Sequence, residues 1–498
     1  MPEFSVAAMP EVFVSDTAIS KAVSEAVARG RLRKLGSRLY TRNLEEQPER
    51  LIRRNWYYLI TGYYPDALIT DRTALENQPA SDGSVCLISA KKRDVVLPGI
   101  VFRPRKGPGP QEGDRPFIGG ARLASPARAY LENVRPSRER GGRIARTLSR
   151  RELERRLDAL IRRQGEDALN RLRDEARAIA PQLGLEREFD ALDELIGTLL
   201  GTRDTEIKSA VGKARAAGNP FDPDRIRLFE TLFAALRDTI PAARPVAKHT
   251  GAANANLSFF EAYFSNFIEG TEFSVEEAEE IVFGGVIPQE RPDDAHDILG
   301  TYRIVSDPQE MRTAPSDFAE FLALLSRRHT ILMEARPEKN PGVFKTRTNR
   351  AGNTVFVAPD LVAGTLEKGF DFLQGLGEAF HRAVFTMALI SEVHPFTDGN
   401  GRAARIMMNA ELVAGGQERI IIPTAYRTDY LGALKALSHS GHATPLIRML
   451  DYAQRYTRAI DWQDLDRARM TLEQTGAFAE GEEARLRMPA ESEGAGRH

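Results

Sequence analysis

The amino-acid sequence predicts a mainly α, multidomain protein in which a small α/β region precedes a long helical core. Three observations lead there. The chain has 498 residues, too many for one ordinary core, so two to four domains are expected. Beyond residue 250 apolar residues recur at helical spacing, with one interruption at "FKTRTNRAGNTVFVAPD". Before residue 135 the pattern instead breaks into short apolar runs between Gly, Pro and Asp turns.

Composition removes several function classes. Lys and Arg number 69 against 70 Asp and Glu, so no global field draws the chain to nucleic acid or membrane, and any such binding needs a local patch. The single Cys86 excludes a disulfide framework and a zinc finger, and suits a reducing compartment. The opening "MPEFSVAAMPEVFVSD" has no basic segment ahead of an apolar run, which argues against a signal peptide. The apolar run "AVFTMALI" is too short to cross a bilayer. A cytoplasmic protein without a membrane partner is the expectation.

The elements follow in order. Residues 15 to 29 read as a helix with Ser15 or Asp16 as N-cap and Gly30 as its stop. "RLRKLGSRLYT" then reads as a hairpin around Leu35-Gly36-Ser37, and from Arg29 to Arg42 there are basic residues and no acidic ones. Residues 46–135 alternate short strands with turns, closing on a helix with Ser125 as N-cap and Pro126 at its first position. Residues 136–250 form a charged helical connector, where Leu153, Leu157, Leu160 and Ile161 share one face and the charges mark solvated faces. An acidic helical region (251–300) precedes a core at 301–457, in which the alternation around Ala351-Gly352-Asn353 is a β-hairpin. The end, 458–498, reads as a helix and then, from about 476, a polar, disordered tail.

The densest chemistry lies in "HPFTDGNGRAAR", residues 394 to 405. Apolar helices flank it, so it is a loop between two buried helices, the second starting near Asn400 to Arg402. Gly399 and Gly401 let the backbone come close to a ligand, and the free N–H groups of a helix start attract an anion. Arg402 and Arg405, three apart, can hold phosphate oxygens on one face. Asp398 would repel bare phosphate, which suggests a bridging Mg²⁺. His394 can take a proton from a hydroxyl near neutral pH. Each feature alone is ordinary. Together they describe attack by a hydroxyl on a nucleotide phosphate.

This stretch resembles the Fic (filamentation-induced-by-cAMP, or Fido) family motif, His-Pro-Phe-x-Asp/Glu-Gly-Asn-Gly-Arg-x-x-Arg, at every defined position. The resemblance spans roughly residues 250 to 457. It implies a Fic-type helical core with a hairpin flap that transfers AMP from ATP to a Ser, Thr or Tyr hydroxyl of a target protein. By that resemblance His394 is the base, Phe396 a core anchor and Asp398 the Mg²⁺ ligand. Gly399, Asn400 and Gly401 cradle the α- and β-phosphates, Arg402 serves the β-phosphate region and Arg405 the γ-phosphate. A kinase branch of the family has Lys at the position of Gly401, so Gly401 favours adenylylation. The hairpin sits where the family has its flap, which holds targets by strand addition.

"SNFIEG" fits the family's inhibitory pattern, Ser/Thr-x-x-x-Glu-Gly/Asn, through Ser265, Glu269 and Gly270. A Glu269 carboxylate paired with Arg405 would occupy the charge that the γ-phosphate needs. Some relatives with such a helix also reverse the modification. Residues 1–45 resemble the helix-plus-wing half of a winged helix-turn-helix and, with the α/β segment, are similar to abortive-infection antitoxin regulators. That likeness implies duplex DNA held by Lys21, Arg29, Arg31, Arg33, Lys34, Arg38 and Arg42. The expected function is an autoinhibited protein adenylyltransferase. The alternatives are a DNA-binding regulator whose core senses nucleotide, and a de-adenylylase; a homodimer is left open.

Overall fold

A computed structural model of the chain describes residues 5–6, 9–203, 207–246, 251–481 and 484–489. It is mainly helical and divides into two compact units, Met1–Gly218 and Asn219–His498. The connector expected at 136–250 is therefore no separate body. Helices Arg150–Gln164, Glu166–Leu183, Glu186–Leu199 and Ala210–Ala216 belong to the first unit, and Pro223–Arg237 to the second.

In the first unit β1 (Val12–Val14), β2 (Arg33–Gly36) and β3 (Leu39–Thr41) form an antiparallel sheet in the order β1-β3-β2, with α1 (Ser20–Ala28) between β1 and β2. The helix starts later than Ser15 or Asp16 would have it. The Asp16 carboxylate accepts the N–H groups of Ala18 (2.9 Å) and Ile19 (3.1 Å) and closes a separate turn first. Gly30 stops it at φ +68°. A helix-turn-helix needs a second helix, and among the described residues before 45 α1 stands alone. Two basic residues of the expected DNA face are engaged within the unit. Arg38 donates to the Ser15 carbonyl at 2.8 Å, and Arg33 donates to the Glu46 carbonyl. Lys21, Arg29, Arg31, Lys34, Arg38 and Arg42 are exposed and Arg33 half-buried.

Residues 46–135 hold six strands, β4 (Leu68–Ile69), β5 (Ser84–Ile88), β6 (Val95–Leu97), β7 (Ile100–Arg105), β8 (Arg115–Pro116) and β9 (Arg122–Leu123). They form one mixed sheet in the order β6-β7-β5-β4-β9-β8. The Ser125 hydroxyl accepts the Arg128 N–H, capping the helix Pro126–Val134. Leu131 of that helix packs with Leu153, Leu157 and Ile161, so the strongly charged helices conceal a continuous apolar core.

In the second unit the main elements are α2 (Gly251–Ile268), α3 (Pro292–Val305), α4 (Phe318–Leu332), the hairpin β10 (Arg350–Ala351) and β11 (Thr354–Val355), α5 (Ala379–Val393), α6 (Asn400–Ala414) and α7 (Arg427–Ser440). Apolar nearly all round, α5 and α6 pack against each other at the centre of the largest core cluster. The tail expected to be disordered from 476 departs from that expectation in its described part. Ala477 is buried, and Phe478, Leu486 and Met488 pack on the aromatic cluster of α2, with the Phe478 ring 5.2 Å from that of Phe264. Residues 490–498 lie outside the described residues.

One buried histidine of α4 fixes the loop between α5 and α6. His329 accepts the Gly342 N–H on Nδ1 at 2.8 Å, so its proton sits on Nε2, which donates to the Asp398 carbonyl at 2.9 Å. Its ring stacks on Phe396 with centroids 3.6 Å apart. Burial pushes its pKa down from 6.5 to about 4. The folded value lies below the unfolded one, so the unfolded chain takes up the proton first as the pH falls. Stability is complete above pH 6.5 and is lost towards pH 4. Between about pH 7 and about pH 4.5 this histidine alone should cost roughly 2–3 kcal/mol. Urea unfolding at the two pH values should show His329→Gln losing less over that interval than the unaltered chain; an equal loss would refute the assignment.

Candidate active site

The loop begins where α5 ends. His394 takes the left-handed conformation, φ 52° and ψ 60°, while its N–H still bonds to the Ile390 carbonyl at 2.8 Å. Gly399 turns the chain into α6 at φ +71°, and a Cβ there would sit 2.7 Å from the Met333 sulfur. Glycine is required twice over, by conformation and by space. Asn400 is a brace. Its Oδ1 accepts the Phe396 N–H (2.8 Å) and its Nδ2 donates to the Phe396 carbonyl (2.9 Å), so the side chain expected on phosphate is spent inside the loop. Phe396 is fully buried, as an anchor should be.

The half-buried His394 ring stacks on Phe356, just past β11, with centroids 3.8 Å apart. Its Nδ1 lies 3.3 Å from the Ser391 carbonyl, which can only accept. The proton therefore belongs on Nδ1, and Nε2 keeps the lone pair. Burial drives the pKa from 6.5 to about 4; the Ser391 carbonyl opposes this, the Lys345 cation reinforces it, and the Glu269 and Asp398 carboxylates oppose it weakly.

A cavity of about 210 Å³ brings His394, Gly401, Arg405 and Glu269 together, walled by Thr354 and Phe356 on the hairpin side and by Tyr430, Leu434 and Lys435 of α7. The buried Arg405 guanidinium donates to the Ser265 hydroxyl (3.0 Å), to the Ser265 carbonyl (2.8 Å) and to Glu269 Oε1 (2.7 Å). The Glu269 side chain is 34% exposed and that of Arg405 only 6%. Desolvation works against the Arg405 charge, yet the Glu269 carboxylate and Tyr430 leave its pKa raised. A Cβ on Gly401 would collide with the Glu269 carboxylate, so this glycine leaves the room that Glu269 fills. Gly270, at φ +94°, ends α2 by donating to the Phe267 carbonyl.

Two expected ligands lie elsewhere. Arg402 is buried away from the cavity lining and pairs with Asp297 at 2.8 Å, donating also to Asn266 Oδ1 at 3.2 Å. Its Nε has no hydrogen-bond partner among the described residues. Asp398 is exposed, and its Oδ1 accepts the Gly399 N–H at 2.7 Å. Among the described residues no three His, Cys, Asp or Glu cluster as a metal site. A single outward carboxylate still fits Mg²⁺, which keeps several waters and takes its other ligands from nucleotide phosphates. The basic residues from Lys21 to Arg42 belong to the first unit and line none of this cavity.

Sequence reasoning missed His329, Lys345, Asn349 and Asp297, all of which grip the motif. Lys345 and Asn349 lie in the hairpin segment, but nothing in its alternation marks a lysine destined to be 4% exposed. No helix among the described residues is long and apolar enough to cross a membrane.

With this geometry established, comparison with known proteins places the motif. The model of the Fic/DOC family matches residues 322–412. Protein adenylyltransferase fic-1 of Caenorhabditis elegans is 25% identical over 209 residues, covering 40% of each chain. Protein adenylyltransferase Fic of Drosophila persimilis is 33% identical over 110 residues, 22% of each. The chain thus spans less than half the length of either relative. The solved Fic-1 (residues 134–508) from C. elegans is 18% identical, with a TM-score of 0.36, covering 65% of this chain and 97% of that one. The matched residues 322–412 carry α5, the loop and most of α6, so it is this part of the chain that is similar to the Fic/DOC family.

Proposed function

We propose that the chain is an autoinhibited protein adenylyltransferase, and that the Arg405–Glu269 pair is its lock. The observation that carries this is the single cavity in which a neutral histidine faces an arginine already neutralised by a helix-end carboxylate. The name borne by both relatives supports the reaction class. In the reaction, a target hydroxyl oxygen attacks the α-phosphorus of ATP while His394 Nε2 takes its proton. The bond from that phosphorus to the bridging oxygen breaks, and diphosphate leaves. With a pKa near 4 in the empty site His394 is a weak base, and the incoming phosphates raise its basicity. Arg405, once free of Glu269, holds the γ-phosphate and so sets the α-phosphate in line. Mg²⁺ carried in with the phosphates would be held by Asp398 and would neutralise charge on the leaving diphosphate. Arg402 holds α2 through Asn266 in this state and is assigned no phosphate.

The cavity size agrees with the lock. About 210 Å³ falls below the roughly 300–1,000 Å³ of ordinary small-molecule sites. Glu269→Gly should enlarge it and leave a buried guanidinium in need of an anion. Self-labelling with labelled ATP and Mg²⁺ should rise about tenfold to a hundredfold, since a charge-assisted pair is worth roughly 1.5–3 kcal/mol before solvent screening. Adding Arg405→Ala should remove most of that gain, and adding His394→Ala should abolish labelling while ATP still binds. No gain from Glu269→Gly with ATP binding intact would end the autoinhibition reading.

Duplex DNA is assigned to the first unit through its exposed cations Lys21, Arg29, Arg31, Lys34, Arg38 and Arg42, of which Arg29 lies 3.7 Å from Glu25 and Arg38 also donates to a backbone carbonyl. Binding of the full chain to duplex DNA should weaken steeply with salt, and Arg31→Glu with Lys34→Glu should lower the slope by about two ions. A flat salt response would assign this unit to protein docking.

A further inference from the structure

Four consecutive carbonyl oxygens at the end of α5 and the start of the loop, from Val393 to Phe396, are held by two residues that precede the hairpin. The Lys345 ammonium has three donors and uses each, on the His394 carbonyl (2.7 Å), the Val393 carbonyl (3.3 Å) and Asn349 Oδ1 (2.7 Å). The backbone N–H of Lys345 donates to the Pro395 carbonyl at 2.8 Å. Asn349 Nδ2 donates to the Phe396 carbonyl at 2.9 Å. The circuit then closes through the hairpin. The Asn349 carbonyl accepts the N–H of Phe356 at 3.2 Å, and the Phe356 ring stacks on His394.

We propose that Lys345 and Asn349 are positioning residues that tie the hairpin to His394, so that the hairpin's placement sets the orientation of the base. This rests on the transferase reading for its activity readout only. Neither residue is among those lining the cavity with Arg405, so neither is placed to bind the nucleotide. The cation serves a further purpose. The last carbonyls of a helix lack partners, and a left-handed residue directly after α5 points two of them at one donor. Removing Lys345 leaves two buried carbonyls unsatisfied beside a strained histidine. The charges around the pair are few. Arg225 acts on Lys345, while Lys345, Glu269 and Asp398 act on His394.

The test uses the full chain carrying Glu269→Gly. Lys345→Met should lower the self-labelling rate about tenfold to a hundredfold, as for a misplaced reacting group, with the dissociation constant for ATP changed less than about twofold. Lys345→Arg, which keeps the donors and the charge, should recover part of the loss. Asn349→Ala, which removes one side chain's contacts, should fall between and guards against misfolding of the lysine variant. Hydrogen exchange supplies a readout independent of activity. The amides of His394 and Phe396 should exchange faster in Lys345→Met, while those in the middle of α6 stay protected. Unchanged labelling together with unchanged exchange would overturn the tie, as would a parallel loss of ATP binding. If the Glu269→Gly chain does not label at all, the transferase reading alone fails, and the exchange of the loop amides still decides.

Discussion

A six-residue loop between two helices that see almost no solvent must have its backbone carbonyls satisfied from within the protein, and much of the second unit follows from that constraint. Where that backbone is buried water cannot help, and an orphaned buried carbonyl costs about as much as a lost hydrogen bond. Lys345, Asn349, Asn400 and His329 each answer one or more of those carbonyls. This explains why a lysine and a histidine are buried here at all. Desolvation of Lys345 lowers its pKa to about 7, so its charge is held at some expense in exchange for three hydrogen bonds. The reward is a histidine whose lone pair has a single direction. Orientation of this kind, more than intrinsic basicity, is what makes a positioned base effective.

The two arginines of α6 face different demands although they stand on adjacent turns. Arg405 opens on a cavity and is balanced by a carboxylate that solvent still reaches, so its partner can be exchanged for another anion. Arg402 is closed in by Asp297 and Asn266, with Arg336 donating to the same aspartate. Breaking a fully buried pair strands a charge and costs several kcal/mol, whereas a partly wet pair is cheap to replace. The α2 helix is thus fastened at Asn266, while the carboxylate just beyond its end, Glu269, sits in a partly wet pair. Its outer face is covered by Trp462 and by Phe478 of the C-terminal segment, which makes the helix a buried part of its unit.

In the first unit the nominal charge of the sequence is a poor guide to its surface. Arg128 is almost fully buried and pairs with Asp114 and Glu132, while Arg105 and Arg146 share Asp71. Arg33 and Arg38 end on backbone carbonyls. A guanidinium with five donors is well suited to such internal bracing, and each bond so used is one fewer for a partner.

The sequence by itself determined the parts governed by local rules. Periodicity placed the two apolar helices around the motif, the alternation about Gly352 placed the hairpin, and Ser125 with Pro126 placed a helix start. The motif named His394 and Arg405, resemblance to the family's inhibitory pattern named Glu269, and the fold brings all three to one cavity. What only the tertiary structure decided was how each polar side chain is spent. Asn400 and Arg402 carry the same donors whether they meet a phosphate or a neighbouring chain segment, and their partners, Phe396 aside, are far away in sequence. The gripping residues Lys345 and His329 were invisible for the same reason. The described part of the tail departs from the expected disorder because a few apolar side chains in a polar stretch suffice once an aromatic surface lies within reach. A hydrogen bond or a burial across dozens of residues depends on the packing of whole helices, and no local pattern encodes it.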